Sequence, residues 1–532
     1  MDLLKQSGLI CICAFFLALN AIAKDKINLQ VQGYDSHVDL RWDQSEAEVS
    51  YQIYARPKGS ESFDLRATTS EARYLDFVTD LGRNLSLEYK VVPLKKGKPQ
   101  QASAIVEAQI KDFSDEELME MVQRYTFDYF WDFAAPNSGL ALERSHDPKA
   151  AITLGGGGFG LMAVIVGAER GWISREQAVD RFLKATQFLS EIERFHGMWS
   201  HWYYDSGELK AFSEYDNGGD IVESAFMAQA LLTARSYFGG ATPKEEALRA
   251  RITDLWEGME WDFYTNGTNG LIWHWSKEHE FKMNHKIKGY NECLITYILA
   301  ESSPTHSIAP EAYWEGWGAW DNPEFGTYKN YYGMTLPLGN TIQMGGPLFF
   351  AHYSYLGLDP RGLADRFANY WEQNRRHTLI NRAYCLDNPY GWEGYGEKLW
   401  GLTASDLVPA GYGASAPGFQ FDKGTIAPTA AISSMPYTPE ESMEVLKYLY
   451  REEGKDAFGI YGFYDAVNPT YKKREEDWVR KNYIAIDQGP QVVMIENHRS
   501  GLLWKHFMQN EDILKGLNKL GFTRFGQPIE VK

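Results

Sequence analysis

Carboxylate side chains lie beside apolar segments at several places in the chain, and such groups can catalyse proton transfer. Asp216, Asp220 and Glu223 precede an apolar stretch that ends at Ala234. Asp220 and Glu223 are three residues apart, so we expect them on one face of a helix, with Asp216 as its N-cap. Buried carboxylates must find partners, change their pKa or face a wet cavity. A structural salt bridge would also satisfy them, so both interpretations stay open.

Two further carboxylates are expected at the starts of apolar helices. Glu292 follows Tyr290 and Asn291 in a predicted helix over 291–300, whose dipole favours a carboxylate in the first turn. Beside aromatic neighbours such a carboxyl group can keep its proton and serve as a general acid. Asp487 lies near the start of another apolar helix. These positions indicate general acid–base catalysis.

Aromatic residues are concentrated in the segments that precede the acids. Flat rings with polar edges suit the faces of sugars, through apolar contact and hydrogen bonds to hydroxyl groups. Many of these rings only pack loops, but we expect a few to line a cleft. The candidates for substrate contact, apart from the acids above, are Trp202, Tyr203, Trp275, Tyr290, Trp400 and Asp406.

The charge and composition of the chain argue against several classes of function. Its 532 residues carry a formal net charge of -18, which would repel nucleic-acid phosphates. The 17 Trp, 32 Tyr and 28 Phe suit a neutral, hydroxyl-rich ligand. The sequence lacks the His-Glu-x-x-His and paired-cysteine motifs that are typical of zinc sites. We therefore expect no nucleic-acid partner, no metal and no organic cofactor.

Residues 1–23 are typical of an export signal. Lys5 precedes an apolar run from Leu9 to Leu19, and Ala21-Ile22-Ala23 supplies a cleavage pattern. That run is too short to span a bilayer, and we expect no transmembrane segment elsewhere. The protein is therefore predicted to be periplasmic or secreted. Beyond the signal only Cys293 and Cys385 remain, and whether they pair stays open.

Two regions of different texture follow the signal. Residues 24–112 contain short alternating runs separated by turn residues, which predict a small β-sandwich similar to a fibronectin type III module. Residues 113–532 contain amphipathic and apolar helical patterns. The amphipathic segments are 174–193, 243–259, 360–376, 439–452 and 501–519, and the apolar segments are 158–168, 216–234, 291–300, 346–357, 425–435 and 483–496.

The alternation of these helices predicts a mainly α catalytic domain with the architecture of an (α/α)6 barrel. In this arrangement an outer ring of amphipathic helices surrounds an inner ring of apolar helices. The connections that enter the apolar helices are long, and long loops in compact domains are usually functional. We therefore expect the acids and aromatic rings at one end of the barrel, around the N-termini of the inner helices.

Seven short segments resemble glycoside hydrolase family 144, the bacterial β-1,2-glucanase group with a glucoamylase-like domain. They are Ser200–Tyr204, Gly289–Glu292, Ser303–His306, Gly401–Asp406, Ile426–Ala431, Ile486–Pro490 and Ile495–Leu502. The resemblance implies an (α/α)6 barrel and the hydrolysis of β-1,2-linked glucose chains with inversion. It also implies Glu292 as general acid, Asp487 as base, and Asp216, Asp220 and Glu223 on the pocket wall.

Several alternatives remain open from the sequence. The base could instead be one of Asp216, Asp220 and Glu223. The long aromatic segment 314–344 could close one end of a cleft, so that the enzyme releases short units such as sophorose from chain ends instead of cutting internally. A polysaccharide lyase or another α/α-barrel carbohydrate-active enzyme could use a similar domain, although a lyase would need cationic groups. A catalytically inactive sugar-binding protein would bind without turnover.

Overall fold

The computed structural model describes residues 27–43, 49–147, 150–318, 325–326, 328–340 and 342–531. The predicted export signal and parts of the aromatic segment 314–344 lie outside these residues. The chain divides into two compact units. One comprises the residues up to Leu118 together with Tyr450–Lys455, and the other comprises Met119–Leu449 together with Asp456–Lys532. Each unit has a hydrophobic core of its own.

Two antiparallel sheets make up most of the first unit. Their strands are β1 Leu29–Gly33, β2 His37–Trp42, β3 Val49–Pro57, β4 Asp64–Thr69, β5 Arg73–Phe77, β6 Ser86–Lys95, β7 Lys98–Pro99 and β8 Val106–Gln109. One sheet has the order β1-β2-β5, and the other has the order β4-β3-β6-β7 with β8 also paired to β6. Alternate residues of a strand, such as Tyr51 and Ile53, are buried in a core that draws on both sheets. The prediction of a sheet-rich N-terminal region is confirmed.

The rest of the chain is mainly helical, as predicted. Its helices are α1 Asp115–Asp132, α2 Leu154–Glu169, α3 Arg175–Glu191, α4 Ile221–Tyr237, α5 Pro243–Glu257, α6 Leu294–Ser302, α7 Tyr370–Asp387, α8 Pro428–Ser433, α9 Pro439–Arg451, α10 Gly454–Ala457, α11 Pro469–Lys473, α12 Ala485–Arg499, α13 Leu502–Phe507 and α14 Glu511–Leu520. Among the described residues, none of these helices combines the length and the apolar character needed to cross a membrane.

The apolar helices pack on one another. Helix α2 contacts α4 and α12, while α4 also contacts α6 and α12 also contacts α8. The 3-10 turn Tyr353–Tyr355 packs on α6. Beside this turn, Nε2 of His352 lies 2.9 Å from the hydroxyl oxygen of Ser434, which directly follows α8. All residues of α2 from Leu154 to Gly167 are buried, as expected for a helix that is apolar all round.

Helix α2 begins four residues before the predicted start at 158, because a run of glycines forms its first turns. Gly158 lies directly against α4. A Cβ atom at this position would stand 2.9 Å from both the Cα of Met227 and the carbonyl oxygen of Phe226. Glycine therefore permits an approach of the two helix backbones that any larger residue would prevent.

The predicted apolar helix over 346–357 is wrong. The chain forms two short 3-10 turns there, Leu348–Ala351 and Tyr353–Tyr355. Gly345 and Gly346 have φ values of 89° and 83°, so the backbone that enters the segment is left-handed and not α-helical.

The predicted amphipathic helix over 360–376 begins ten residues later, at Tyr370. The carboxylate of Asp365 accepts the backbone N–H groups of Phe367 and Ala368, which holds a turn before the helix. The side chain of Asn369 then caps α7 by accepting the N–H of Glu372. The last predicted amphipathic helix is also divided, into α13 and α14.

Short antiparallel strands occupy the loops of the second unit, and most of them lie in the long connections that enter the apolar helices. They are β9 Ile152–Thr153, β10 Trp202–Tyr203, β11 Leu209–Lys210, β12 Gly219–Asp220, β13 Leu271–Ile272, β14 His274–Trp275, β15 Lys286–Ile287, β16 Lys329–Tyr331, β17 Met334–Leu336, β18 Leu363–Ala364, β19 Ala404–Asp406, β20 Tyr412–Ala414, β21 Phe458–Gly459, β22 Gly462–Phe463, β23 Ala466–Val467, β24 Val479–Arg480, β25 Thr523–Arg524 and β26 Gln527–Pro528. These pairings fix loop side chains in place. Cys293 and Cys385 are both buried and form no disulfide with each other.

Candidate active site

The carboxylate of Asp220 caps helix α4. Its Oδ1 accepts the backbone N–H groups of Val222 and Glu223 at 2.9 Å and 3.0 Å. The prediction that Asp216 is the N-cap is therefore wrong. The helix begins only at Ile221, because Gly219 and Asp220 are held in an extended strand paired with β14.

Two histidines bind the carboxylates of Asp216 and Asp220. Nδ1 of His201 lies 3.2 Å from Oδ2 of Asp220 and 3.7 Å from Oδ2 of Asp216. Nε2 of His274 lies 3.2 Å from Oδ2 of Asp216 and 3.5 Å from Oδ2 of Asp220. The pairing of β12 with β14 sets His274 opposite Asp220. Both carboxylates are buried, and the histidines provide the partners that burial requires.

The charges of these groups stabilise one another. Burial lowers the pKa of His201, but the charge of Glu223 and hydrogen bonds with Asp216 and Asp220 outweigh it and raise this pKa well above the usual value. Burial also lowers the pKa of His274, but hydrogen bonds with the same two aspartates outweigh it and raise this pKa to about 9. Burial raises the pKa of Asp220, but hydrogen bonds from His201 and His274 lower it below the usual value. Both imidazole rings are therefore protonated at neutral pH.

The same group contains three potential metal ligands. One ligand atom each from His201, Asp216 and Asp220 lies within 4.8 Å of the others. Metal ions bind the neutral imidazole ring, so a cation here would have to displace the proton that the carboxylates hold on His201. The donor set therefore fits internal ion pairs better than a resident metal.

Glu223 lies one helical turn beyond Asp220 and favours the protonated state. Its Oε2 accepts the backbone N–H of Gly155 at 2.6 Å, and its Oε1 lies 3.9 Å from Nε2 of His201. Burial raises the pKa of Glu223 to about 7, although the positive charge of His201 opposes this shift.

Glu292 is a second carboxyl group that favours its protonated state. Burial, together with the charges of Glu223 and Asp220, raises the pKa of Glu292 to about 7. The prediction that Glu292 lies in the first turn of α6 is wrong, because the helix begins at Leu294. The side chain of Asn291 accepts the N–H of Cys293 at 3.0 Å and holds a turn before the helix.

Asp487 lies in the first turn of α12, as predicted, and is buried. The hydroxyl group of Tyr353 donates to its Oδ1 at 3.4 Å. Burial and the neighbouring Asp465 raise the pKa of Asp487 well above the usual value. Tyr353 also has a raised pKa, caused by burial and then by the charges of groups that include Asp487, Glu292 and Glu223. Tyr353 therefore lies close to two carboxyl clusters, one containing Asp216, Asp220, Glu223 and Glu292 and the other containing Asp406, Asp465 and Asp487.

Asp406 lies near Asp487 and forms hydrogen bonds with Arg144, Asn482 and Asp465. Nη1 of Arg144 donates to its Oδ1 at 2.7 Å, and Nδ2 of Asn482 donates to its Oδ2 at 3.0 Å. Its backbone N–H donates to Oδ2 of Asp465 at 2.6 Å. The side chain of Asp406 lines a polar cavity of about 520 Å³.

Another cavity, of about 400 Å³, brings the two carboxyl clusters together. It is lined by Glu223 and His201 from one cluster and by Tyr353 and Arg144 from the neighbourhood of Asp487. Its apolar walls include Trp202, Phe212, Phe349 and Tyr412.

Phe212 and Trp202 present ring surface at this cavity. The Phe212 ring stacks on His201 with centroids 4.2 Å apart and lies 4.7 Å from the Trp202 ring. Phe212 is 48% exposed, which is a large fraction for a phenyl ring and leaves its surface free for a sugar. Trp202, a predicted substrate contact, lines this cavity, and its role stays a prediction.

The structure places the other predicted aromatic residues away from the cavity. Tyr203, Tyr290 and Trp400 are fully buried core residues, and the hydroxyl groups of both tyrosines bond to protein groups. Trp275 packs against His196 and Phe263. Tyr203 and Trp275 belong to short strands in which successive side chains point to opposite faces, and this alternation directs His274 toward the acids instead of Trp275.

The sequence analysis missed several charged and aromatic groups of the site: His201, His274, Glu143, Arg144, Phe212, Phe349, Tyr353, Tyr412 and Asp465. His201 lies within the segment 200–204 that resembles the family, which is the one local signal that could have identified it. The others come from several loops and from the two 3-10 turns, and they become neighbours only in the folded chain.

The arrangement suits acid–base chemistry on an uncharged ligand. Glu292, Glu223 and Asp487 have raised pKa values and can hold protons near neutral pH, whereas Asp216, Asp220 and Asp406 are held by histidine or arginine. A proton donor and a carboxylate base beside a cavity with exposed rings are the groups that glycoside hydrolysis requires.

Comparisons with known proteins support this interpretation. A family model described as glycoamylase, putative glucoamylase, matches residues 284–511, a range that contains Glu292 and Asp487. An exo β-1,2-glucooligosaccharide sophorohydrolase (non-reducing end) of Parabacteroides distasonis is 40% identical over 513 residues, which are 92% of this chain and 70% of that protein.

Comparisons with solved structures also find enzymes that act on β-1,2-glucan. A β-1,2-glucanase from Parabacteroides distasonis is 40% identical, with a TM-score of 0.85 over 93% of this chain and 73% of its own. An endo-β-1,2-glucanase from Chitinophaga pinensis, solved with sophorotriose and glucose, is 50% identical, with a TM-score of 0.74 over 77% of this chain and 99% of its own. The resemblance found in the sequence is confirmed. The chain belongs to glycoside hydrolase family 144, the family of β-1,2-glucan-degrading enzymes.

Proposed function

We propose that this protein hydrolyses β-1,2-glucosidic bonds in β-1,2-glucan or its oligosaccharides. The observation that carries the proposal is the cavity of about 400 Å³, at which the exposed rings of Phe212 and Tyr412 meet the carboxyl groups of Glu143 and Glu223. The relatives named above act on β-1,2-linked glucans and share 40% or more of their residues with this chain.

In the proposed mechanism Glu292 is the general acid and Asp487 is the general base. Glu292 gives its proton to the glycosidic oxygen as the bond from that oxygen to the anomeric carbon breaks. Asp487 takes a proton from the water that attacks the anomeric carbon from the opposite face, so the configuration inverts. Solvent then returns a proton to Glu292 and removes one from Asp487. Asp216, Asp220 and Glu223 bind the sugar or hold the side chains that surround it.

The proposed architecture of the catalytic domain is an (α/α)6 barrel. The contacts of α12 with α2, α2 with α4, α4 with α6, and α6 with the turn Tyr353–Tyr355 support an inner ring. The hydrogen bond from His352 to Ser434 and the contact of α8 with α12 would close it with six members. The first unit is proposed to be a sandwich of the fibronectin type III kind, and the protein to be exported to the periplasm or outside the cell.

Reducing-sugar release with product sizing tests the proposed substrate. Linear β-1,2-glucan is compared with β-1,3-glucan, cellulose and starch. Release from the β-1,2-linked chain alone is the expected result. Disaccharide products alone would indicate exo action, and a ladder of sizes would indicate endo action. Proton NMR of the first product formed distinguishes inversion from retention.

Two outcomes would contradict the proposal. Release from another glucan alone would leave the acid–base chemistry in place but exclude the proposed linkage. Binding of β-1,2-glucan without any product, by folded protein, would indicate a sugar-binding protein that lacks catalysis.

A further inference from the structure

His201 lies on the wall of the cavity of about 400 Å³, and the proposed mechanism gives it no contact with the substrate. It directly precedes strand β10, which pairs with β9 on one side and with β11 on the other. The ring of Phe212 stacks on the imidazole with centroids 4.2 Å apart, and the ring of Trp202 meets it edge-on at 5.4 Å. The backbone and the ring plane of His201 are therefore both fixed.

The two ring nitrogen atoms of His201 have different surroundings. Nδ1 lies 3.2 Å from Oδ2 of Asp220 and 3.7 Å from Oδ2 of Asp216, so these carboxylates hold its hydrogen. Nε2 lies 3.9 Å from Oε1 of Glu223, which exceeds hydrogen-bonding distance. Both His201 and Glu223 line the cavity, and 22% of the His201 side chain is exposed. Nε2 is therefore the ring atom that a ligand in the cavity can reach.

The distance between Nε2 of His201 and Oε1 of Glu223 suits a bridging hydroxyl group. Two hydrogen bonds of about 2.8 Å that meet at one oxygen atom at roughly 90° would span this 3.9 Å separation. A hydroxyl group has one hydrogen to donate and two lone pairs to accept with, so it can bond to both groups whether or not Glu223 is protonated. Oε2 of Glu223 accepts the N–H of Gly155 at 2.6 Å, which fixes the carboxyl group.

His274 provides a comparison within the same cluster. Its Nε2 lies 3.2 Å from Oδ2 of Asp216 and 3.5 Å from Oδ2 of Asp220, so it pairs with the same two carboxylates as His201. Its side chain is only 7% exposed, and of these two histidines His201 alone lines the cavity. Pairing with the aspartates therefore does not require a histidine to face the ligand.

We propose that His201 is a substrate-binding residue, whose Nε2–H donates to a sugar hydroxyl group that Oε1 of Glu223 also contacts. The inference rests on the proposed function, because its ligand is a β-1,2-linked glucose oligosaccharide. It deepens that function by naming a pair of groups that select a sugar with a hydroxyl group at this position. A sugar without this hydroxyl group would leave both polar groups without a partner, which costs affinity.

Two substitutions separate the two sides of the His201 ring. The amide nitrogen of asparagine comes near the position of Nδ1, so His201→Asn keeps a donor to Asp220 and removes the donor in the cavity. The amide nitrogen of glutamine comes near the position of Nε2, so His201→Gln keeps the cavity donor. His274→Gln is the matched control, because it removes a positive charge beside the same aspartates without altering the cavity wall. Circular dichroism establishes that each variant is folded.

Calorimetric titration with sophorose measures sugar binding directly. His201→Asn should raise Kd roughly 10- to 100-fold, the range for loss of a hydrogen bond to a charged group, and His201→Gln should raise it less. The rise in His201→Asn should exceed that in His274→Gln by about fivefold or more. Equal rises in these two variants would show that His201 acts only through the aspartates and would overturn the proposal. An unchanged Kd in folded His201→Asn would also overturn it.

A double-mutant cycle tests whether His201 and Glu223 bind one hydroxyl group. If they do, the rise in Kd for His201→Asn combined with Glu223→Leu should be smaller than the product of the two single rises. A rise equal to that product would indicate two independent contacts and would contradict the bridging arrangement.

Kinetics and nitrogen NMR complete the test. On β-1,2-glucan His201→Asn should raise KM by the factor seen in Kd and change kcat by less than about fivefold, because the bond already forms in the ground state. In the wild type, the Nε2 resonance of His201 should shift on saturation with sophorose, and it is identified by its loss in His201→Gln. An unshifted resonance would overturn the proposal even if His201→Asn were unfolded.

Failure of this inference can be distinguished from failure of the proposed function. Wild-type KM and Kd in His201→Asn, with normal hydrolysis of β-1,2-glucan, would overturn only the role of His201. If the wild type bound sophorose but released no product from β-1,2-glucan, the proposed function would fail, and calorimetry would still decide whether His201 binds the sugar. A wild type that neither bound sophorose nor hydrolysed the glucan would overturn both.

Discussion

At the scale of residues, the site is defined by which carboxyl groups keep a proton. Glu292 and Glu223 lie in buried surroundings next to other acids, so their pKa values rise to about 7. Asp220 is surrounded by helix N–H groups and two imidazole rings, so it stays ionised. Environments that separate the pKa values of neighbouring acids are how enzymes assign acid and base roles.

Replacing the proposed acid tests its role directly. We expect Glu292→Gln to lower kcat on β-1,2-glucan by at least about 100-fold, because the leaving oxygen then receives no proton. KM should change by less than about threefold, since the amide keeps the shape of the side chain.

Glu301→Gln is the matched control for Glu292→Gln. Glu301 is another glutamate of the same segment whose pKa is raised to about 7 by burial, but its nearest charge is Lys519 at 3.4 Å. It should keep near-normal kcat. Near-full activity of folded Glu292→Gln would rule out the assignment.

The raised pKa of Glu292 predicts the alkaline side of the pH profile. A general acid must be protonated, so activity should be present below its pKa and fall as the pH rises through about 7. The decline of kcat/KM should approach tenfold per pH unit. The measurement is a pH series of initial rates on β-1,2-glucan, and constant activity up to about pH 9 would contradict the assignment of this acid.

At the scale of elements, short strands and close helix contacts position the site. The pairing of β12 with β14 delays the start of α4 until Ile221 and brings His274 to the acids. The glycines of α2 allow that helix to touch α4, and Gly155 donates its N–H to Glu223. The acids are therefore held by backbone geometry as well as by their own side-chain partners.

Two glycines of α2 differ in the space around them, which predicts opposite effects of alanine. Gly158→Ala would place a Cβ 2.9 Å from backbone atoms of α4, which cannot yield as a side chain can. We expect a loss of about 1–3 kcal/mol of stability. At Gly157 the nearest atom is the Cε of Met227 at 3.6 Å, an ordinary contact. Gly157→Ala should therefore be neutral or stabilising by up to about 1 kcal/mol.

Thermal unfolding followed by circular dichroism measures the effect of both alanine variants. Gly158→Ala should unfold at a lower temperature than the wild type, and Gly157→Ala should not. Equal midpoints for the two variants would show that the contact of α2 with α4 adapts without cost.

At the scale of the whole molecule, a net charge of -18 coexists with a pocket whose charges are largely paired. A strongly acidic protein repels polyanions such as uronic-acid polymers and nucleic acids. A neutral glucan is not affected by this repulsion. The charge of the molecule therefore favours an uncharged substrate.

This charge balance predicts how salt affects the reaction. Because no ion attraction guides a neutral glucan to the site, kcat/KM should change by less than about twofold as added salt rises from about 0.05 to 0.5 M. Initial rates at several salt concentrations measure this dependence. A steep decline with salt would indicate a charged substrate and would contradict the proposed one.

The sequence by itself determined the family, the mainly helical second region, the sheet-rich first region and the acids Glu292 and Asp487 as candidates. These features depend on local periodicity and on short segments, which a single chain displays directly. It misplaced the cap of α4, the helix over 346–357 and the start of α7. The cap of α4 is set by a strand pairing, and the segment 346–357 is not helical because two glycines are left-handed. The start of α7 is delayed by the turn at Asp365.

Only the tertiary structure decided which side chains meet at the site. His274 reaches Asp216 through a strand pairing, and Asp406 contacts Asp465 and Asn482 from a separate segment of the chain. It also placed Tyr203, Tyr290 and Trp400 in the core, although their residue types suit a sugar-binding wall equally well. The physical reason is that burial and proximity depend on contacts between distant segments, and the pKa values that define acid and base follow from them.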